Sequence, residues 1–305
     1  MSTALRSQAV TGTLLVFWAA VGFSLKAVLV KLAYAYGVDT VTLLALRMGF
    51  SLPFFLAAML WVKGQETRVP LTARDALTVC VLGFIGYYLS SYLDFIGLRY
   101  VSAGLERLIL FAYPTIVLLI SAAFLRRPIT LADVCALVLS YVGIGLACAH
   151  DVSFKGPDGV AGALWVLASA LTYALYLIGS GQMITRLGVV QFTAYAMTVS
   201  CVVVMAQFLV GHPLAALVLP VQVYEYAAVM ALVSTVLPAF MLSAGIRRIG
   251  ASQASLISAI GPISTIVFAH LLLDEPVTGI QILGTVLVCA GTLAVSGVLK
   301  KRPKP

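Results

Sequence analysis

The sequence predicts an all-α integral membrane protein with ten transmembrane helices, arranged as two inverted five-helix repeats. Its composition is 62% hydrophobic and only 10% charged, with a mean hydropathy of +1.07, which is far from that of soluble domains. The segment after Arg99 also recurs 148 residues later, so that Pro114 falls on Pro262 and Gly143 on Gly291. Each half has five apolar segments, and a unit with an odd number of spans places its tandem copy upside down in the membrane.

The predicted repeats occupy residues 1–150 and 151–305. Runs of about 20 apolar residues are long enough to cross the hydrocarbon core as helices. The first run lacks a clear small-residue cleavage site, so we interpret it as a span and not as a signal peptide. The linkers between runs are too short for a soluble domain. The predicted spans are 11–36, 40–62, 75–98, 101–125, 129–149, 159–182, 188–211, 224–246, 251–272 and 276–299.

The distribution of basic residues predicts the orientation in the membrane. With the N-terminus in the cytoplasm, thirteen Lys and Arg residues fall in the inside segments. The outside loops then hold Arg99 and Lys155, and Lys31 lies near the outer end of the first span. This bias predicts a multi-pass protein of the bacterial inner membrane with both termini in the cytoplasm. The inside cations are spread over six separate sites, so the net charge of +8 indicates topology and not a nucleic-acid surface.

Signatures of enzymes are missing from the sequence. It has no G-x-x-x-x-G-K-[ST] phosphate loop, no H-E-x-x-H zinc motif and no G-x-S-x-G nucleophile motif. The five cysteines all lie inside predicted spans without C-x-x-C spacing, and the three histidines are scattered. We therefore expect a protein that is not an enzyme, with no catalytic residue, no metal site and no cofactor.

Five ionisable side chains lie well inside spans of the first repeat, in the outer half of the membrane. Charges at this depth cost about 2.5–3.5 kcal/mol each, so they tend to face a cavity or a partner. We predict that Lys26, Glu106 and Arg107 bind the substrate. The alternative is that Lys26 and Arg107 extend to the outer surface while Asp94 pairs with one of them. The five residues are Lys26, Arg47, Asp94, Glu106 and Arg107, and the matched positions of the last three in the second repeat are Leu242, Ala254 and Ser255.

Two spans carry faces of aromatic and hydroxyl side chains. In the third span, Tyr88, Ser91 and Tyr92 share one helical face. In the sixth span, Trp165 and Tyr173 belong to a similar stripe. Such faces suit a flat or apolar solute that bears a few polar groups, and we predict that these five residues bind substrate. Packing within the bundle is the alternative interpretation.

Pro114 and Pro262 fall in the middle of spans at positions that the repeat matches. Each proline removes a backbone hydrogen bond and can kink its helix. A matched pair of interrupted helices is a pointer to the binding site of inverted-repeat proteins. We predict that both prolines act in gating or as hinges, while a static kink remains the alternative.

Several short motifs occur in a characteristic order along the chain. They are Phe17–Trp18, Gly22–Phe23–Ser24, Leu44–Ala45–Leu46–Arg47, Gly97–Leu98–Arg99–Tyr100–Val101–Ser102–Ala103 and Asp274–Glu275–Pro276–Val277–Thr278–Gly279, with Gly284 and Gly291. The sequence that contains them resembles the EamA domain and, as a whole, the ten-helix drug/metabolite transporter superfamily. One departure is Arg127, which stands where the family has Glu before the proline after the fourth span, while the ninth span keeps Glu275.

The resemblance implies a secondary transporter that alternates access around a cavity lined by spans one, three, four, six, eight and nine. It also implies export of small metabolites, with amino acids first and aromatic or bulky neutral ones favoured. We expect a monomer in the lipid bilayer. A multidrug, sugar-phosphate or nucleotide-sugar carrier on the same fold is the main alternative, and a membrane enzyme or sensor subunit is a remote one. Proton coupling and facilitated uniport both remain open, since Asp94 and Glu106 are membrane acids with cations nearby.

Overall fold

The computed structural model describes residues 3–65, 69–125, 129, 131–249, 254 and 257–295. Within these residues the regular structure is helical, without strands. In this described part of the chain, seven helical stretches are long and apolar enough to cross a membrane, and three of them (Ala73–Gly97, Ala103–Phe124 and Val221–Ile249) each contain a break or a π-helical turn. Three shorter apolar helices, Leu137–Ala147, Ile260–Leu273 and Gly279–Gly291, coincide with the predicted fifth, ninth and tenth spans. The prediction of an all-α membrane fold is confirmed.

Twelve α-helices make up the described chain. Side chains cap the N-termini of the second helix, Thr40–Lys63, and the third, Ala73–Gly83. Asp39 accepts hydrogen bonds from the first turn of the second helix, and Thr72 forms a capping box with Asp75 of the third. The helices are α1 (Thr3–Tyr34), α2 (Thr40–Lys63), α3 (Ala73–Gly83), α4 (Ser90–Gly97), α5 (Ala103–Leu110), α6 (Tyr113–Leu125), α7 (Leu131–Leu187), α8 (Val189–Gly211), α9 (Val221–Ala231), α10 (Leu237–Ile249), α11 (Ile260–Leu273) and α12 (Gly279–Val295).

The longest helix differs from the prediction. A loop was predicted at 150–158, but α7 continues through this stretch as one helix of 57 residues. The stretch includes Gly156 and Pro157, residues that usually end or kink a helix, yet the backbone stays helical through both. The two apolar parts of α7 still pack on different neighbours, because Gly143 contacts Gly284 of α12 and Gly162 contacts Val101. The predicted fifth and sixth spans are thus separate packing segments of one helix.

Two glycine contacts show that the halves are built alike. Gly97, at the end of α4, packs against Gly162 and Val166 of α7. Gly245 of α10 lies 148 residues later and packs against Gly12 and Val16 of α1 in the same way. In both places a small residue lets two helical backbones approach closely. The third span of each half therefore packs on the first span of the other half.

The directions of these helices establish the inversion. Gly86 contacts Tyr176 and Gly97 contacts Gly162, so the third span and the second part of α7 run in opposite directions. By contrast, Lys26 pairs with Asp94, and Tyr34 lies under Arg99 at 5.2 Å, so α1 and the third span run in the same direction. The first spans of the two halves consequently run in opposite directions across the bundle, as an inverted repeat requires.

Interruptions of the helices also recur at the repeat spacing. The π-helical turn Phe84–Leu89 joins α3 to α4, and the π-helical turn Leu232–Val236 joins α9 to α10 at matched positions. The fourth span breaks at Phe111, between α5 and α6, and the ninth breaks at the matched Ala259. Each break lies three residues before Pro114 or Pro262, where a ring replaces the N–H donor. The predicted interruption is therefore present, while its gating role stays a prediction.

The close glycine contact makes Gly97→Ala a sharp test of this packing. The added methyl would lie 2.5 Å from Val166 Cγ2 and 2.9 Å from the Gly162 carbonyl oxygen. We expect a loss of about 1–3 kcal/mol of stability from this overpacking. Gly145→Ala is the matched control, because a methyl there meets nothing within 4 Å and alanine favours helix by up to ~1 kcal/mol. Thermal unfolding in detergent measures both, and equal midpoints for the two variants would contradict the close contact.

Candidate functional site

Three charged side chains meet inside the bundle, and we name them the Lys26 cluster. Lys26 of α1 places its ammonium nitrogen 2.6 Å from Asp94 Oδ2 of α4 and 3.5 Å from Glu106 Oε1 of α5. The side chains of Asp94 and Glu106 are buried, at 1% and 0% exposure, and that of Lys26 is 13% exposed. The structure thus brings together two predicted binding residues, and it selects Asp94 as the direct partner of Lys26.

The start of α5 positions Glu106. Ser102 caps this helix by accepting a hydrogen bond from the Leu105 amide. Glu275, from the connection between α11 and α12, accepts hydrogen bonds from the amides of Ala103 at 3.0 Å and Gly104 at 3.4 Å. A carboxylate at a helix N-terminus is favourable because it satisfies free amides and complements the helix dipole. The second repeat therefore holds in place the helix that carries Glu106 and Arg107.

The carboxylates of the Lys26 cluster keep unused hydrogen-bonding capacity. Asp94 Oδ1 and both oxygens of Glu106 are buried without a hydrogen-bond partner. Buried polar atoms almost always have such a partner, and each that lacks one costs about 1–3 kcal/mol. The cluster can therefore accept a further proton or a cationic group.

Arg107 lies next to Glu106 in the sequence but outside the Lys26 cluster. In the described part of the chain it makes no ion pair, and its Nε atom is buried without a hydrogen-bond partner. Its guanidinium carbon stands 5.9 Å from the centre of the Phe111 ring. Gly261 makes room for it, since a methyl there would lie 2.7 Å from Nη2. The guanidinium has donors that could bind a carboxylate.

Arg47 is the fifth predicted membrane charge, and in the structure its hydrogen-bond partner is a hydroxyl of the second repeat. Its Nε atom donates to Thr235 Oγ1 at 2.9 Å, and Thr235 lies in the second π-helical turn. Its guanidinium carbon also stands 5.3 Å from the centre of the Phe95 ring. The interactions of Arg47 therefore tie α2 to the eighth span, outside the direct contacts of the Lys26 cluster.

A row of four tyrosines extends from this region, and we name it the tyrosine row. Tyr173 packs edge-on to Tyr113 at 5.1 Å and stacks on Tyr176 at 5.8 Å. Tyr176 then contacts Tyr87 at 4.9 Å, and their hydroxyls form a hydrogen bond of 3.1 Å. Tyr113 also meets Phe111 at 5.7 Å, which connects the row to Arg107. The hydroxyls of Tyr113 and Tyr173 make no hydrogen bond within the described chain.

The predicted aromatic residues do not form one surface. Tyr88 and Tyr92 stack on each other at 6.1 Å and pack against the core that α1, α2 and α8 share. Trp165 is 41% exposed. Ser91 is half-buried, and its neighbour Ser90 makes the contact with α7, at 3.0 Å from Ser169 Oγ. Tyr173 alone of the predicted set belongs to the tyrosine row.

Sequence reasoning missed part of this region. Tyr176 was recognised as part of the same stripe of the sixth span as Tyr173, but it was not included among the predicted binding residues. Tyr113 directly precedes the interrupting Pro114, and that position was its only signal. Gly261 adjoins the matched Pro262, and its carbonyl accepts a hydrogen bond from Ser24 Oγ at 3.0 Å. A residue without a side chain gives no chemical signal in a sequence.

A polar contact and a cavity lie at the predicted outer end of the bundle. His212, after α8, lies 3.2 Å from the Asp39 carboxylate at the start of α2. Partial burial favours the neutral form of Asp39, but hydrogen bonds from the hydroxyl and amide of Thr42 outweigh it, so the pKa of Asp39 lies below its usual value. A nearby cavity of about 300 Å³ is lined by Lys31, Tyr34, Gly37, Val38, Leu98 and Arg99.

Together these features define a multi-pass α-helical membrane protein with a buried charged cluster between its helices. The profile of the EamA-like transporter family matches residues 10–148 and 160–297. The uncharacterized transporter YcbK of Bacillus subtilis (strain 168) is 32% identical over 298 residues, which cover 94% of this chain and 92% of YcbK. The chain therefore belongs to the EamA-like transporter family and is a membrane transporter of the drug/metabolite type.

More distant relatives agree with this assignment. An uncharacterized transporter of Archaeoglobus fulgidus is 22% identical, with 81% of this chain and 85% of that protein covered. A protein of known crystal structure aligns with a TM-score of 0.66 at 19% identity, over 93% of this chain and 95% of that chain. At this identity the structural match supports the fold alone.

Proposed function

We propose that this transporter exports amino acids, with aromatic or bulky neutral ones favoured, across the bacterial inner membrane. One observation carries the proposal: Arg107, which makes no ion pair within the described residues, directly follows Glu106 of the carboxylate-rich Lys26 cluster along α5. An amino acid carries a carboxylate and an ammonium group on one carbon atom. Arg107 can bind the carboxylate while the free oxygens of the cluster bind the ammonium.

The tyrosine row supports the preference for aromatic or bulky side chains. Its rings provide apolar area, and the hydroxyls of Tyr113 and Tyr173 have no partner in the described chain. Pockets for small molecules combine such apolar walls with a few polar groups that fix orientation. The row begins next to Arg107, so an aromatic side chain extending from a bound amino acid would reach it.

The direction of transport rests on the orientation and on the inverted packing. The cation bias supports cytoplasmic termini. At the predicted inner end, Arg186 Nη2 lies 2.7 Å from Asp75 Oδ2. At the predicted outer end, Glu275 accepts a hydrogen bond from the Ala103 amide, and His212 contacts Asp39. Alternating access would break one set of contacts while the other forms, with the breaks before Pro114 and Pro262 as the flexible points.

Counterflow in proteoliposomes tests the proposed substrate. Vesicles that contain the purified protein are loaded with unlabelled L-phenylalanine and diluted into trace radiolabelled L-phenylalanine. We expect transient accumulation of label, which protein-free vesicles loaded in the same way do not show. Vesicles loaded with glucose 6-phosphate and tested with its label serve as the comparison. Exchange of the sugar phosphate but of no amino acid in a panel would overturn the proposal in favour of a sugar-phosphate carrier.

A further inference from the structure

We propose that the transporter also carries monocarboxylates that bear an aromatic or bulky apolar body and lack an ammonium group. The charged side chains inside the bundle hold an excess of positive charge, and a ligand with a single negative charge neutralises it. This further substrate class rests on the proposed function in one respect, which is the role of Arg107 as the group that binds the carboxylate.

The five charged side chains inside the spans interact as one group, which we name the charge layer. Lys26 contacts Asp94 at 2.6 Å and Glu106 at 3.5 Å. Arg47 interacts electrostatically with Asp94, and Arg107 interacts in the same way with Glu106, which it follows along α5. The charge of the layer must therefore be counted over all of its members. These are Lys26, Arg47, Asp94, Glu106 and Arg107.

The charges of the layer do not balance. Its three cations and two carboxylates leave one positive charge in excess when every member is ionised, and a proton on either carboxylate only enlarges the excess. Glu275 does not remove it, because the amides at the N-terminus of α5 already complement that carboxylate. An uncompensated charge among buried groups is costly, so the layer favours a ligand that brings one negative charge.

The hydrogen bonding of the two arginines agrees with this count. Arg47 is 5% exposed, and its Nη1 atom is buried without a hydrogen-bond partner. The Nε atom of Arg107 is buried without a partner as well. A guanidinium can only donate hydrogen bonds, so an ammonium group cannot satisfy these atoms, whereas a carboxylate oxygen can. The unused donors of the layer thus suit an anion.

The net charge of the ligand separates two classes of substrate. A neutral amino acid is a zwitterion, so its ammonium meets the free oxygens of Asp94 and Glu106 while the excess positive charge remains. A monocarboxylate gives up those contacts but neutralises the layer, and a dicarboxylate would leave an excess of negative charge. Phe111 connects Arg107 to the tyrosine row, so an aromatic body suits either of the first two classes.

Four probes that share a phenyl ring but differ in charge test the inference on the wild-type protein. Calorimetric titration at neutral pH should show that 3-phenylpropionate, a monoanion, binds at least as tightly as zwitterionic L-phenylalanine. The neutral 3-phenylpropionamide should bind roughly tenfold more weakly, and cationic phenethylamine should bind most weakly, because of the electrostatic energy of one unit charge at an effective dielectric constant of ~20. Binding of 3-phenylpropionate that is much weaker than that of L-phenylalanine would overturn the proposal, since the ammonium would then be required.

Replacing Arg47 by glutamine removes the excess charge and leaves Arg107 in place. We expect the affinity for 3-phenylpropionate to fall roughly tenfold, while that for 3-phenylpropionamide stays the same. Arg47→Lys should retain most of the affinity, because it keeps the charge although it cannot repeat the Nε hydrogen bond to Thr235. Arg247→Gln, at an exposed position of α10, is the matched control. Equal losses in Arg47→Gln and Arg47→Lys, or for the charged and the neutral probe, would overturn the electrostatic role.

Counterflow in proteoliposomes tests transport of the same monocarboxylate. Vesicles loaded with unlabelled 3-phenylpropionate and diluted into its radiolabelled form should accumulate label transiently, at a slightly alkaline pH that keeps the free acid scarce. Protein-free vesicles loaded in the same way measure passive leakage. Exchange of L-phenylalanine without exchange of 3-phenylpropionate would overturn this further substrate class and leave the proposed function standing. Exchange of 3-phenylpropionate without exchange of any amino acid would overturn the proposed amino-acid substrate and support the charge count.

Discussion

Replacing Lys26 by methionine is expected to destabilise the protein by about 3–5 kcal/mol, the usual cost of leaving a buried charge without its partner. Methionine keeps the length and apolar stem of lysine but removes the ammonium that Asp94 and Glu106 share. Two buried carboxylates then remain without a cation in contact. The loss should be smaller at acidic pH, where protonated carboxyls carry no charge.

Thermal unfolding in detergent across a pH series measures this effect. Lys63→Met is the matched control, because Lys63 is exposed at the end of α2 and the same substitution there should have little effect. Adding Asp94→Asn and Glu106→Gln to Lys26→Met should recover part of the loss, since the repelling charges are then gone. A Lys26→Met protein as stable as Lys63→Met would show that the cluster carries no buried charge interaction.

Replacing Arg107 by glutamine is expected to weaken L-phenylalanine binding roughly 10- to 150-fold. Hydrogen bonds to charged groups contribute about 1.5–3 kcal/mol, and each 1.4 kcal/mol corresponds to a factor of ten in affinity. Glutamine removes the positive charge and the forked donors that a carboxylate requires. Arg107→Lys keeps the positive charge but not the paired guanidinium donors, so its affinity for L-phenylalanine should lie between those of the wild type and Arg107→Gln. Calorimetric titration of the purified variants measures the constants.

A second probe separates the roles of Arg107 and Glu106. 3-Phenylpropionate has the carboxylate and ring of phenylalanine but no ammonium group. Arg107→Gln should weaken its binding, whereas Glu106→Gln should tighten it by removing a negative charge. Arg99→Gln is the control, because Arg99 is exposed after α4 and lies over Tyr34. Unaltered affinity for both probes in the two variants would make these residues structural and leave the aromatic faces as the site.

The sequence predicted the spans well because their signal is local. Apolar length defines a membrane helix, and nothing in the tertiary structure has to be known to count it. The polar stretch 150–158 shows the limit of this reasoning, because a loop was predicted there and α7 continues through it, including Gly156 and Pro157. Polarity indicates that a segment avoids lipid, but it does not by itself force the backbone to turn.

The sequence offered a pairing of Asp94 with Lys26 or Arg107 only as an alternative, and it could not decide among the partners of the membrane charges. Lys26, Asp94 and Glu106 lie on three separate helices, and only helix packing brings them within 3.5 Å of one nitrogen atom. The aromatic faces show the same limit. Helical spacing placed Tyr88 and Tyr92 on one face, but packing against the core of α1, α2 and α8 decided what that face contacts.

The sequence by itself determined that this protein is helical, crosses the membrane many times and repeats its first half in its second. These properties depend on the length of apolar runs and on residue identity at a fixed spacing, and both can be read from the linear order of residues. The tertiary structure alone decided that Lys26 is shared by two acids and that Arg107 stands apart beside Gly261. The physical reason is that charge neutralisation and steric room depend on distances between helices, which residues far apart in the chain set together.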